Sequence, residues 1–346
     1  MRIGNFEIND SSKTFIIAEM SGNHGHDIEI AKRTIKAAKD AGADAIKLQT
    51  YTPDTITIDC DNEYFQIKQG TIWDGSTMYD LYKQAYTPWE WHKELFDFAK
   101  EIDILIFSSP FDNTAVDLLE ELDTPAYKIA SAEIMDTELI KYVASKGKPI
   151  IFSTGMAYIE EIKQAIDVSK GEGNHEIALL KCVSAYPTPM NQCNLKTIPN
   201  LRDTFGVIAG LSDHTLGTTA PIVAVTLGAK IVEKHFILDK NIGGPDASFS
   251  LDFNEFSEMV KAIRDAEDAI GQVSYDLTEK TKRTREHSRS LFVVKDIKMG
   301  EEFTKENIKS IRPGYGLAPK HYVEIIGKKA NKELKKGTPL DWSMFE

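Results

Sequence analysis

Cysteine is scarce in this chain. The three residues Cys60, Cys182 and Cys193 are an odd number with no Cys-x-x-Cys pair, which excludes a disulfide framework and a thiolate zinc site, and they read as reduced thiols. Long apolar runs are missing too. None approaches the roughly 20 residues of a membrane helix, and the opening MRIGNFEINDSSK is too polar for the core of a secretory signal. A cytoplasmic setting without a membrane partner is therefore expected. Positive charge is in the minority, with 41 lysines and arginines against 53 acidic residues and a net charge of −12. That balance speaks against a broad nucleic-acid surface, while leaving room for an anionic small ligand held by a few converging lysines. What is present is ordinary for a globular protein: 346 residues, 42% hydrophobic and 27% charged, enough for one large core and a smaller module.

From Thr14 to about Ile237, short β-branched runs alternate with amphipathic stretches, the pattern of βα units around a parallel sheet. Strands are predicted at FIIAE (15–19), AIKLQ (45–49), ILIFSS (104–109), AYKIAS (126–131), PIIFST (149–154), IALLKCVS (177–184), VIAGLSD (207–213) and IVEKHF (231–236). Helices are predicted between them, as at DIEIAKRTIKAAKDAG and TPWEWHKELFDFAKE, with Gly42 and Gly228 suited to C-terminal caps. Eight such units over about 250 residues make a (β/α)₈ TIM barrel; a doubly wound open sheet is the other arrangement this alternation allows.

Residues 50–86 exceed the usual loop length and are expected to form a lid over the barrel mouth. The barrel domain is assigned to 1–271. A polar, highly charged stretch without an apolar face, 272–287, reads as a linker. Residues 288–346, with the short runs SLFVV and NIKSIRP and the turns KMGE, RPGYG and KKGTPL, suit a small β-rich module. Its roughly 60 residues leave little core, so docking on its own barrel or on a second subunit is expected to help stabilise it.

In a (β/α)₈ enzyme the active site forms where the strands finish. The predicted ends supply Glu19, Lys47 and Gln49, Ser108 and Ser109, Lys128 and Ser131, Ser153 and Thr154, Lys181 and Ser184, Ser212, Asp213 and His214, and Glu233, Lys234 and His235. Strands that turn polar as they leave a core account for some of these. They do not account for Lys47 and Lys128, which are set within apolar strands.

Alternation places Lys47 with Gln49, Ser212 with His214, and Glu233 with His235 on shared faces. A lone histidine is usually a hydrogen-bonded packing residue. Two on neighbouring strand ends with carboxylates nearby form an open divalent-metal site, suited to polarising a carbonyl. Mn²⁺ and Mg²⁺ both fit an oxygen-rich remainder. Lys47 and Lys128 as point charges, with Ser131, Ser153 and Ser212 as donors, suit a phosphate-bearing substrate. A Schiff base on one lysine, as in an aldolase, is a competing reading, and a sugar-binding barrel without catalysis is another.

These residues sit in AEMSGNHGH, AIKLQT, SSPFD, YKIASAE, STGM, YPTP, GLSDHT and EKHF. The motifs resemble the sialic acid synthase family along essentially the whole chain, and RSLFVVKDIKMGE with RPGYGL resembles its antifreeze-like SAF domain. The resemblance implies a transferase that condenses phosphoenolpyruvate with an amino sugar and water, giving a nine-carbon sugar acid and phosphate. It implies Mn²⁺ first, with Mg²⁺ or Co²⁺ as alternatives, and a homodimer that exchanges its small domains.

Carried over residue by residue, Lys47, Ser109, Lys128, Ser131, Ser153 and Ser212 match phosphoenolpyruvate positions, and Ser184 stands where relatives can have asparagine. His214 and His235 match the metal ligands, and Glu133 the carboxylate near the metal and reacting aldehyde. Glu133, Lys128, His214 and His235 form the catalytic set so implied. Glu19, Gln49, Tyr186 and Asp246 match positions near the acceptor sugar, and Arg312 one that reaches into the partner's site.

KLQTYTPDTIT, TIWDGSTMYDLYKQAYTPWEWH and FSLDFNEF are closest to the branch whose acceptor is 2,4-diacetamido-2,4,6-trideoxy-β-L-altropyranose. The N-acetylneuraminic and legionaminic acid branches are the alternatives. An ice-binding role for the small domain does not suit the charged segment KDIKMGEEFTKENIKS.

Overall fold

Eight parallel strands close on themselves in the computed structural model, which describes residues 1–68, 70 and 72–346. Two residues of the long predicted insertion, Gln69 and Thr71, lie outside the described residues. The barrel strands are Phe15–Glu19, Ala45–Thr50, Leu105–Pro110, Tyr127–Ile129, Ile150–Ser153, Ile177–Cys182, Ile208–Asp213 and Ile231–His235. Each pairs with its successor, and the eighth lies beside the first with His235 opposite Glu19, so the open sheet is excluded.

Alternation sorts the side chains. Phe15, Ile17, Ala45, Phe107, Ala126, Ile151, Ala178, Leu180 and Ile231 meet inside the barrel, with Ile3 and Ile8 of the N-terminal segment packed against them. Ile16, Ala18, Ile46, Leu48, Ile106 and Val232 face the helices. Interior positions further along the same strands, beginning with Glu19, Lys47, Lys128 and Glu233, therefore stack above an apolar plug. Gly210 belongs to this packing, because a Cβ there would lie 2.3 Å from the Ile231 carbonyl oxygen and 2.7 Å from Leu180 Cδ2.

The helices follow their local chemistry. Ile28–Asp40 starts at Asp27, whose carboxylate accepts from the Glu29 and Ile30 amides, and it buries Ala31, Thr34, Ile35 and Ala38 at three- and four-residue spacing. Gly42 then turns the chain at φ +94°. The fourth strand is shorter than predicted. Its ladder ends at Ile129, and the chain enters a 3₁₀ turn at Glu133–Met135. The sixth likewise ends at Cys182, which frees Ser184 from the ladder. In the insertion, helices span Pro53–Ile56 and Met78–Ala85. No described helix is long and apolar enough to cross a membrane.

The chain divides into the units Met1–Gly271 and Gln272–Glu346. The second pairs Ser290–Val293 antiparallel with Ile308–Ile311, around a core that includes Leu291, Val293, Phe303, Ile308, Ile325 and Leu340. The stretch read as a linker groups with this unit and carries a helix, Glu279–Thr284, capped by the Thr278 hydroxyl and bearing a Glu279–Lys282 ion pair. Its residues are exposed all round, so no apolar face announced the helix.

Candidate active site

Two lysines and two carboxylates meet above the apolar plug. Lys47 Nζ lies 2.5 Å from Glu19 Oε2 and 3.8 Å from Glu233 Oε1, and it donates to Ser109 Oγ at 3.3 Å. Lys128 Nζ donates to Glu233 Oε1 at 3.1 Å. Ser212 Oγ donates to the same oxygen at 3.4 Å, and Gln49 Nε2 donates to Glu19 Oε1 at 3.1 Å. Lys47 and Lys128 are 3% and 2% exposed. Two ammonium groups at this depth need matched counter-charges, and the carboxylates supply them.

Glu233 was not among the assigned site residues. Its signal lay in the alternation that puts it on the face of His235, and its partners come from strands two, four and seven.

Burial opposes charge on every member of the quartet, and the neighbours decide each outcome. Lys47 is held above the usual lysine range because Glu19 and Glu233 outweigh its burial. Burial draws Lys128 down despite Glu233. Glu233 stays below the usual carboxylate range, since Lys128 and Lys47 overcome its burial. Burial pushes Glu19 up to about 7 against the pull of Lys47, with Glu233 adding to the rise. Glu19 is thus the carboxylate that takes a proton first.

In and around the quartet lie polar atoms without a hydrogen-bond partner. Ser153 Oγ, Ser184 Oγ, Glu133 Oε2 and Glu233 Oε2 are buried without a hydrogen-bond partner. Ser131 Oγ accepts from the Gly155 amide at 3.1 Å. A Cβ on Gly155 would come within 2.6 Å of Ser184 Oγ, 2.9 Å of Ser131 Oγ and 3.0 Å of Cys182 Sγ. Only glycine lets the STGM backbone approach these hydroxyls, which with the lysines make a socket for an anion with several oxygens. The unsatisfied hydroxyls are the groups such an anion would pair.

The two site histidines face each other with ring centroids 5.2 Å apart. His214 Nδ1 lies 3.0 Å from the Val183 carbonyl oxygen, which makes Nδ1 the donor and leaves Nε2 with a free lone pair. Despite burial, His214 is raised by the neighbouring Cys182 thiol and the Val183 carbonyl. His235 is lowered well below the usual histidine range by burial, with His214 and the lysines adding to it. Its Nδ1 has no hydrogen-bond partner, and Asp246 Oδ2 stands 4.0 Å away.

A neutral imidazole with an orphaned nitrogen is the form that ligates a cation. No cluster of three or more His, Cys, Asp or Glu that could hold an ion is found among the described residues. The two imidazoles could give a cation two nitrogens at most, the rest of its ligands being oxygens of substrate or water. Glu133 does not join the imidazoles in a three-ligand cluster. It lies on the 3₁₀ turn after the fourth strand, its carboxyl pushed up to about 7 by burial.

Tyr186 packs 4.3 Å from the His214 ring and 5.2 Å from Phe249. The buried Asp246 carboxyl is raised by its burial and is held by Ser21 and the Gly22 amide. Other predicted strand-end groups point away from the interior. Ser108 Oγ meets Thr50 Oγ1 at 2.6 Å, and Lys234 Nζ meets Asp213 Oδ2 at 2.6 Å. Both pairs occupy the alternate face. Arg312 lies on an exposed turn of the small unit, after the strand Ile308–Ile311.

A closed (β/α)₈ barrel with buried lysines, orphaned hydroxyls and facing imidazoles at its mouth is the framework of a carbonyl-condensing enzyme, and the chain belongs to the NeuB family, which it matches over residues 34–275. Residues 288–346 match the SAF domain. The chain is 50% identical to the pseudaminic acid synthase of Campylobacter jejuni, over 100% of both chains. It is also 50% identical to that of Helicobacter pylori, over 94% of this chain and 96% of the relative. The N,N'-diacetyllegionaminic acid synthase of Legionella pneumophila is 36% identical over 100% and 98%.

Among solved structures, the spore coat polysaccharide biosynthesis protein SpsE of Bacillus subtilis is 34% identical, with TM-score 0.68 over 100% and 99% of the two chains. The N-acetylneuraminic acid synthetase of Leptospira borgpetersenii, in complex with citrate, is 30% identical, with TM-score 0.72 over 82% and 94%.

Proposed function

We propose that this chain is a pseudaminic acid synthase, condensing phosphoenolpyruvate with 2,4-diacetamido-2,4,6-trideoxy-β-L-altropyranose and water to give pseudaminic acid and phosphate. The observation that carries this reading is the buried lysine–carboxylate quartet, with its orphaned serines and facing imidazoles, on a chain 50% identical end to end to named synthases. Lys47 and Lys128 meet the phosphate and carboxylate of phosphoenolpyruvate, sharing their remaining N–H donors between substrate and Glu233, while Ser131, Ser153 and Ser184 complete the socket. Both ammonium groups are ion-paired, which disfavours a Schiff base.

His214 and His235 would hold a divalent cation, Mn²⁺ or else Mg²⁺ or Co²⁺, which would supply positive charge to polarise the open-chain sugar's aldehyde oxygen. Carbon 3 of phosphoenolpyruvate donates its π electrons to the aldehyde carbon, whose C=O π pair moves onto oxygen, and water adds at carbon 2 and gives up a proton that the new alkoxide takes. The carbon–oxygen bond to phosphate then breaks, and phosphate leaves with the bonding pair. Glu133 Oε2, unpartnered and on a carboxyl that titrates near neutrality, takes and returns the proton that ring opening moves. Glu19, Gln49, Tyr186 and Asp246 orient the acceptor.

Phosphate release with N-acetylmannosamine and with the manno and altro diacetamido sugars tests the substrate. The altro sugar should give the highest kcat/KM, and a clear preference for N-acetylmannosamine would overturn this assignment. Chelation should abolish turnover and added manganese restore it, whereas full activity in metal-free protein would remove the cation from the reaction.

Gly155→Ala should raise the KM for phosphoenolpyruvate at least tenfold, about 1.4 kcal/mol, because its methyl group would occupy the space between Ser131 and Ser184. An unchanged KM would place the anion elsewhere.

The chain also works as a homodimer in which Arg312 of one copy completes the site of the other, a reading supported by the exposure of Arg312 and by the match to the SAF domain. Mixing inactive Arg312→Ala and Lys47→Met chains under exchange conditions should restore about a quarter of the wild-type sites. Failure of the mixture to regain activity while the chains exchange would show that each copy completes its own site.

A further inference from the structure

We propose that Trp73 determines acceptor specificity by walling off the sugar's carbon 6, favouring a methyl group there over a hydroxymethyl group. The proposal rests on the acceptor assignment above and adds how that acceptor is told from its hydroxylated relatives.

Trp73 belongs to the long insertion, yet it is tied to the far side of the barrel sequence. Its indole N–H donates to the Pro245 carbonyl oxygen at 3.1 Å, one residue before Asp246. Its ring is 5.4 Å from that of Tyr186 and inclined by 56°. Tyr186 stands 4.3 Å from His214, and Phe249 stands 4.9 Å from His235. A continuous aromatic surface thus runs from the insertion to both imidazoles.

The interior also holds an ionic cluster, with Glu19, Lys47, Lys128 and Glu233 in contact. An open-chain hexose with its aldehyde at the histidines can span one intervening ring, and the end that reaches the indole is carbon 6. The indole N–H is already engaged by Pro245, so the ring offers π surface and no donor to whatever lies against it. A methyl group loses nothing against the indole face, whereas a hydroxyl would find no partner on it. Apolar contacts of this kind discriminate by about tenfold to a hundredfold.

The test compares kcat/KM for 2,4-diacetamido-2,4,6-trideoxy-β-L-altropyranose with that for its 6-hydroxy counterpart, at saturating phosphoenolpyruvate. Wild type, Trp73→Leu and Trp73→Phe are assayed in parallel, with thermal midpoints reporting whether the variants fold. The wild type should favour the trideoxy sugar. Trp73→Leu should lose that preference by about tenfold or more with the KM for phosphoenolpyruvate unchanged, and Trp73→Phe, which keeps an aromatic face, should retain most of it.

If Trp73→Leu keeps the wild-type ratio, or lowers both acceptors equally, the specificity role is overturned while the synthase reading stands. If the wild type turns over neither sugar, or prefers the 6-hydroxy form, the acceptor assignment falls and this inference falls with it.

Discussion

Replacing Lys47 with methionine should lower kcat/KM by about a thousandfold or more and destabilise the barrel by roughly 3–5 kcal/mol. On the role proposed for Lys47, the kinetic effect follows from removing the desolvated positive charge that meets the substrate anion. The effect on stability has a different origin. Methionine leaves Glu19 Oε2 without the ammonium now 2.5 Å away, and it takes one of two lysines from Glu233. Both carboxylates are largely cut off from water, Glu19 being 1% and Glu233 5% exposed. Glu19 already sits at about 7 with Lys47 in place, so without it the carboxyl should stay protonated to higher pH.

A second change separates the two effects. Lys47→Met combined with Glu19→Gln removes the carboxylate that the single variant strands, and should recover about 1–3 kcal/mol in urea unfolding at pH 8. It should restore no phosphate release, because the ammonium proposed to meet the substrate is still missing. A double variant no more stable than the single one would show that Lys47 and Glu19 do not depend on each other as their geometry requires.

Glu133→Gln should lower kcat by about a hundredfold and at the same time stabilise the folded protein at alkaline pH. Burial raises this carboxyl from 4.5 to about 7, so the fold favours its protonated form. Wild-type stability from this group is therefore fully present below pH 4.5 and declines as pH rises towards 7. A shift of this size corresponds to up to about 3 kcal/mol at pH 8. Glutamine carries no charge at either extreme, so its advantage should open between those two values. Urea unfolding at pH 4.5 and pH 8 reads the effect directly. Equal stabilisation at both would mean that Glu133 does not titrate as its burial dictates. The wild-type rate should fall off on the acidic side of about pH 7, and that limb should be absent from the variant.

The barrel was legible because its strands are short β-branched runs between amphipathic helices, and each of the eight predicted strands lies within two residues of the observed one at its start. Alternation correctly paired Lys47 with Gln49 and Glu233 with His235. Strand ends were read less well. The run AYKIAS predicts a strand through Ser131, but the ladder stops at Ile129 because the chain turns into the Glu133–Met135 segment, where propensity yields to the path of the loop. The helix at Glu279–Thr284 was missed because it has no apolar stripe to reveal it. Asp213 and Lys234, polar and at strand ends like the site residues, form a buried pair on the outward face.

What the amino-acid order by itself determined is the repeating unit, the face each strand residue takes, and the residue types available at the mouth, because propensity and periodicity act over a few neighbouring residues. Which of those residues meet was decided by closure of the barrel. Lys128 finds Glu233 at 105 positions' remove, and Trp73 finds Pro245 at 172. The elevated carboxyls of Glu19 and Glu133 and the neutral imidazole of His235 have the same origin. Each depends on how much water the assembled fold removes and on which charges it brings close, quantities that exist only once all eight strands are in register.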